Sequence, residues 1–94
     1  MIKKNIIKEA PVPVGNYPHS VEINGMLYLS GVGPRNTNDS LIPGNEYDDD
    51  GNLLGYDIEQ QTHAVMHNIK IILEESNSSW NNLIDVTVFL IDMK

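Results

Sequence analysis

Arg35 is the only arginine in the chain, and it ends Gly31-Val32-Gly33-Pro34-Arg35, directly after the apolar run Met26-Leu27-Tyr28-Leu29. A guanidinium at the root of a loop leaving a strand can hold a carboxylate through two parallel charge-assisted hydrogen bonds. The alternative is a solvated surface arginine, or one ion-paired with the Asp-rich turn at 48–50. Ser30 closes the same run beside Gly31, which sets a hydroxyl next to an approachable main-chain N–H. No histidine is spaced to act as its base, so a serine nucleophile is weakly supported. Tyr17 lies in the irregular stretch Gly15-Asn16-Tyr17-Pro18-His19-Ser20. A phenol there either lines a site or plugs the core with its hydroxyl satisfied.

Three further patterns suggest ligand chemistry. Glu46, Asp48, Asp50, Gly51 and Asp57 fall at positions 1, 3, 5, 6 and 12 of a calcium loop. Position 12 should be a bidentate Glu, however, and Pro43-Gly44 forbid the incoming helix. The stretch therefore reads as a solvated acidic turn leading to a helix cap. His63 and His67 share a helix face at i, i+4, a zinc-ligand spacing, but Ala64 breaks the metalloprotease HExxH pattern. A polar outer face or a subunit contact explains that pair as well. Gly31-Val32-Gly33 begins like a dinucleotide fingerprint but lacks its third glycine, and Pro34 leaves no helix N-terminus for a pyrophosphate. Neither a metal nor an organic cofactor is expected.

These side chains must be positioned by a small domain. In 94 residues, 40% are hydrophobic and 20% charged, a globular balance. The absence of cysteine excludes disulfides, thiolate catalysis and Cys-built metal sites. Six Lys+Arg against thirteen Asp+Glu give a net charge of −7, which opposes broad binding to nucleic acid. No run approaches the ~20 apolar residues of a membrane span, and no signal peptide is legible. The expectation is a soluble, cytoplasmic protein.

Residues 2–8 predict a strand, and Asn24-Gly25 predicts a tight hairpin joining 19–23 to 26–31. A long loop follows over 33–56. Asp57-Ile58-Glu59-Gln60 has the form of a capping box opening a helix, and Asn77 suits its αL terminus at about 76. Ile58, Thr62, Val65, Ile69, Ile72 and Leu73 recur at helical spacing and are expected to form one buried apolar stripe. A last strand at 86–91 is apolar on both faces and so demands cover on both sides.

In order along the chain stand A-P-x-P-V-G-x-Y-P-H-S at 10–20, L-Y-L-S-G-V-G-P-R at 27–35, D-I-E-x-Q-T at 57–62, N-I-K-x-I-L-E at 68–74 and D-V-T-V-F-L-I-D-M at 85–93. This ordered set resembles the RidA family (YjgF/YER057c/UK114), and its GVGPR and YPHS variants look most like the 2-aminomuconate deaminase branch. The resemblance implies a chorismate-mutase-like α+β fold, a mixed sheet packed on helices. It also implies a homotrimer with clefts between subunits, and cofactor-free hydrolysis of enamines or imines to ammonia and a 2-oxo acid.

Carried over, Tyr17 and Ser30 are the candidate catalytic residues, and Gly31, Arg35 and His19 the substrate-binding ones. Arg35 would hold one carboxylate of a dicarboxylate substrate. The family pattern continues past Lys94 with a helix, an arginine-bearing strand and a strand with an acidic residue. Residues 1–94 are therefore expected to form one domain, incomplete at its C-terminal end after the fourth strand. The alternative function is a truncated, non-catalytic trimerisation or ligand-binding module. An endoribonuclease, an older label in this family, is opposed by the acidic charge.

Overall fold

The computed structural model describes residues 2–13, 17–39 and 41–90. Strand β1 (Ile2–Asn5) pairs antiparallel with β2 (Ser20–Ile23), which pairs antiparallel with β3 (Met26–Leu29), in the order β1-β2-β3. The β2–β3 turn is the expected one: Asn24 and Gly25 both have positive φ (51° and 80°), matching the right-handed twist of the flanking strands. Register follows from it, with Ser20 opposite Leu29 and Ile23 opposite Met26. Strand β1 is shorter than the expected 2–8 because the ladder is intercepted by a side chain. The Ile7 N–H donates to His19 Nδ1 at 2.8 Å instead of to a neighbouring strand.

A small second hairpin interrupts the long loop. Strand β4 (Glu46–Tyr47) pairs with β5 (Leu53–Gly55) across an irregular register. Its turn is the acidic stretch that resembled a calcium loop. Asp48 accepts from the main-chain N–H groups of Asp50 (2.9 Å) and Asn52 (2.8 Å), and Gly51 takes a φ of +83°. The carboxylate of position 3 is thus spent on its own turn. Among the described residues no group of three or more His, Cys, Asp or Glu gathers where it could hold a metal ion.

Helix α1 (Ile58–Glu75) starts and stops where its caps place it. Asp57 accepts from the N–H groups of Glu59 and Gln60, while the Gln60 side chain donates to the cap carboxylate rather than closing the box on the Asp57 N–H. At the other end Asn77 has φ +65°, Ser78 N–H reaches Leu73 O and Asn77 N–H reaches Glu74 O, a Schellman closure. His63 and His67 are both exposed on the outer face.

The core is small: Ile7, Ala10 and Ile72 are buried together, with Leu29, Val32 and Ile71 against them. Beside it Ser20 and Ser76 share a 2.8 Å hydrogen bond, tying β2 to the helix C-cap. Two expectations need correction. Only the last turn of the apolar stripe is buried (Ile72 and Leu73), while Val65 and Ile69 are half-buried and Ile58 and Thr62 exposed. Among the described residues no strand forms over 83–90 either, and Phe89 is 91% exposed. The reason is common to both: burying a helix stripe and forming a strand each need a packing or pairing partner. Here β3, α1 and the segment 82–90 instead border an open groove of about 1160 Å³. The rest of the expected last strand, at 91, lies outside the described residues. The result is α+β, and every strand pairing among the described residues is antiparallel.

Candidate functional site

The irregular segment after β1 and the loop after β3 lie side by side, held together by side-chain bonds to main-chain carbonyls. Ser30 Oγ donates to Pro18 O at 2.7 Å, Arg35 Nη2 to Val12 O at 3.0 Å and Thr37 Oγ1 to Glu9 O at 3.1 Å. Between the two segments is a small cleft of about 50 Å³, lined by Pro11, Val12, Tyr17, His19, Ser30, Gly31 and Arg35 among others, with Ile72 of α1 behind. Tyr17, His19, Ser30, Gly31 and Arg35 therefore line the same cavity, although they come from separate stretches of chain.

Their chemical states differ. Arg35 is half-buried, and among the described residues its guanidinium makes one hydrogen bond, from Nη2 to Val12 O. Its guanidinium donates to the Val12 carbonyl and not to the Asp-rich turn, which removes the ion-pair alternative for this residue. The Ser30 hydroxyl proton is committed to Pro18 O, so its oxygen can accept a hydrogen bond but lacks a base to make it a nucleophile. Tyr17 is 40% exposed and forms an outer wall, not a core plug. At Gly31 an added Cβ would meet nothing within 4 Å, so the cleft is open there.

His19 differs from the expectation of a substrate-binding group. It is 6% exposed, and both ring nitrogens are engaged: Nδ1 accepts from Ile7 N–H at 2.8 Å, and Nε2 lies 2.7 Å from Pro11 O. That pairing requires the Nε2–H tautomer, which donates to Pro11 O. With no nitrogen left over, His19 shapes the cleft wall instead of reaching into it.

The family model described as Endoribonuclease L-PSP (Ribonuc_L-PSP) matches residues 7–94. The chain belongs to this family. A RutC family protein of Pyrococcus abyssi is 34% identical over 94 residues, covering 99% of this chain and 65% of that protein. Protein HMF1 of Saccharomyces cerevisiae is 31% identical over 88 residues, covering 94% of this chain and 59% of its own length. Among solved structures, a Rid-family protein of Yersinia pestis, described as of unknown function, superposes with a TM-score of 0.64 at 31% identity. That match covers 86% of this chain and 56% of the other. The chain thus spans 59% to 65% of the length of these curated relatives. The fold is accordingly that of the Rid and L-PSP proteins.

One residue of the L-PSP match was not picked out by type or spacing. Asn68 is 3% exposed, on the inner face of α1, and its Nδ2 donates to Gly33 O and Arg35 O, each at 2.9 Å. A signal was present: Asn68 stands at i+3 from Val65 and i−4 from Ile72, on the apolar stripe, where an amide must find partners.

Proposed function

We propose that this protein is a cofactor-free deaminase of enamines and imines, acting on 2-aminomuconate or a related 2-amino-enoic acid. The products are ammonia and a 2-oxo acid. The observation that carries this reading is the meeting of Arg35, Ser30, Tyr17 and Gly31 in one cleft, with the guanidinium only partly engaged.

Chemically, protonation of an enamine at carbon gives the imine. Water adds to the C=N carbon, and the carbinolamine expels ammonia to leave C=O. Nothing is oxidised or reduced, so the balance needs only water and a proton shuttle. In this reading Arg35 holds a substrate carboxylate through its guanidinium N–H groups. The Ser30 oxygen accepts from the substrate N–H, and the open main chain at Gly31 lets the reacting carbon approach. A cleft of about 50 Å³ has room for a few water molecules or one carboxylate end. We therefore take the site to be completed by a neighbouring subunit of a homotrimer. Small dicarboxylates would reach it in the cytoplasm.

The test follows ammonia release from 2-aminomuconate and from 2-aminoacrylate. The expected result is acceleration of the dicarboxylate reaction, with Arg35→Gln lowering kcat/KM for it by about tenfold to a hundredfold, the loss of a charge-assisted bidentate contact. No acceleration of either substrate over buffer overturns the proposal. Some relatives carry the word endoribonuclease, and RNA cleavage at physiological salt by this protein would favour that reading instead. The net charge of −7 speaks against it.

A further inference from the structure

The geometry points to Asn68 as the positioning residue that aims Arg35 at its anion. The inference deepens the proposed function, since it takes Arg35 to bind a carboxylate. A single nitrogen, Nδ2, donates one hydrogen to Gly33 O and the other to Arg35 O, both at 2.9 Å. Two carbonyls two residues apart are thereby drawn to one point, which pins the intervening peptide units. Pro34 lies between them, its ring fixing the one φ the clamp does not reach.

Arg35 is consequently held at both ends. Its main chain is fastened to the helix by Asn68, and its guanidinium leans on Val12 O at 3.0 Å. The platform is stiff, because α1 carries a side-chain cap at Asp57 and a Schellman closure at Asn77. Ile72, one turn further on, forms the back of the same cleft.

The choice of residue type supports this role. Asparagine is a poor helix former, and a polar group on an apolar stripe is tolerated only when bonded. Nothing local in α1 rewards it; both of its contacts are to the loop, 33 and 35 residues away. An amide is also the short side chain that offers two hydrogens from one atom. Aspartate has the same shape and offers none, and serine offers one.

The test is a double-substitution cycle in the full chain, with the stable unsaturated dicarboxylate hexa-2,4-dienedioate as the calorimetric probe. Asn68→Asp is expected to weaken binding by about tenfold, Asn68→Ser by less, as donors are removed stepwise. In the Arg35→Gln background, Asn68→Asp should change affinity by less than about twofold, because the residue it acts through is gone. In turnover, KM for the dicarboxylate should rise while kcat stays within about twofold.

Equal weakening in both backgrounds, or no weakening in Asn68→Asp, overturns the inference. So does failure of the unsubstituted protein to bind the probe, since Arg35 would then have no anion to meet. Should Asn68→Asp not fold, Asn68→Ser is carried through the same cycle with the same criterion. Binding of the probe without ammonia release from any enamine overturns the deaminase reading and leaves the clamp standing. Turnover with additive substitutions does the reverse.

Discussion

Replacing His19 by alanine should destabilise the protein well beyond what one small surface-loop change does. The imidazole is 6% exposed and serves two main-chain groups, Ile7 N–H at 2.8 Å and Pro11 O at 2.7 Å. Ile7 is itself buried, so its orphaned N–H would bear nearly the full desolvation penalty, about 2 kcal/mol. The Pro11 carbonyl is half-buried and can recruit water, so its loss adds about 0.5 to 1 kcal/mol. A partly collapsing ring-sized void adds roughly 0.5 to 1 kcal/mol more. The sum is about 3 to 4 kcal/mol. For a chain of 94 residues, where total stability is roughly 5 to 14 kcal/mol, that is a severe loss.

Urea unfolding followed by circular dichroism should show the midpoint falling by about 1.5 to 2 M, taking a slope near 2 kcal/mol/M. His19→Asn separates the two bonds. Its carbonyl oxygen sits where Nδ1 was and can accept from Ile7 N–H, while Pro11 O goes unmet, so about half the loss should remain. If the Asn and Ala variants unfold within about 0.3 M of each other, the Ile7 bond is not what holds this turn. If neither differs from the parent, the assignment of His19 as a wall-builder is refuted.

The other expectations concern the scaffold. Gly44 has φ +79°, and an added Cβ would lie 2.8 Å from the Asp57 Cβ and 3.1 Å from its main chain, so Gly44→Ala should displace the helix N-cap. We expect a loss of about 2 kcal/mol or more, read by thermal unfolding, from αL strain plus that clash. An unchanged melting temperature would refute it. The carboxyl of Asp57 is held below the ordinary aspartate value of 3.8 by bonds from the Gln60 side chain, the Gln60 N–H and the Glu59 N–H. Asp48 is lowered likewise by the Asn52 main chain and side chain first, then by the N–H groups of its own turn. A carboxylate depressed on folding contributes fully above its unfolded pKa, and the contribution is lost as pH falls through the folded value. Stability should therefore hold down to about pH 4 and decline below it, and less steeply in Asp57→Asn, which can still cap without titrating. An acid titration of the helical signal that is the same in both proteins would contradict this.

Much of the scaffold was legible because its signals are local. Asn24-Gly25 needs only positive φ at adjacent residues, and the ends of α1 need only Asp57 and the αL-tolerant Asn77. The β4–β5 hairpin was missed because strands of two and three residues are too short to show a period, and its Asp-rich turn imitated a calcium loop. The segment at 86–90 has the alternation of a strand but no partner among the described residues. Alternation states which faces are apolar and not whether an edge is available. For the same reason the stripe of α1 was read correctly in direction and overestimated in burial.

The site candidates could be named from residue types and from ordered motifs, which is a statement about identity, not about placement. That Tyr17, Ser30, Gly31 and Arg35 share a cleft was decided by the crossing of two irregular segments. The roles of His19 and Asn68 were decided there too. Each acts through hydrogen bonds to main-chain groups distant along the chain, 8 and 12 residues away for His19 and 33 and 35 for Asn68. Turns, caps and periodicity are properties of neighbouring residues, so sequence alone carries them. A carbonyl looks the same at every position, so only the folded chain shows which ones His19 and Asn68 hold.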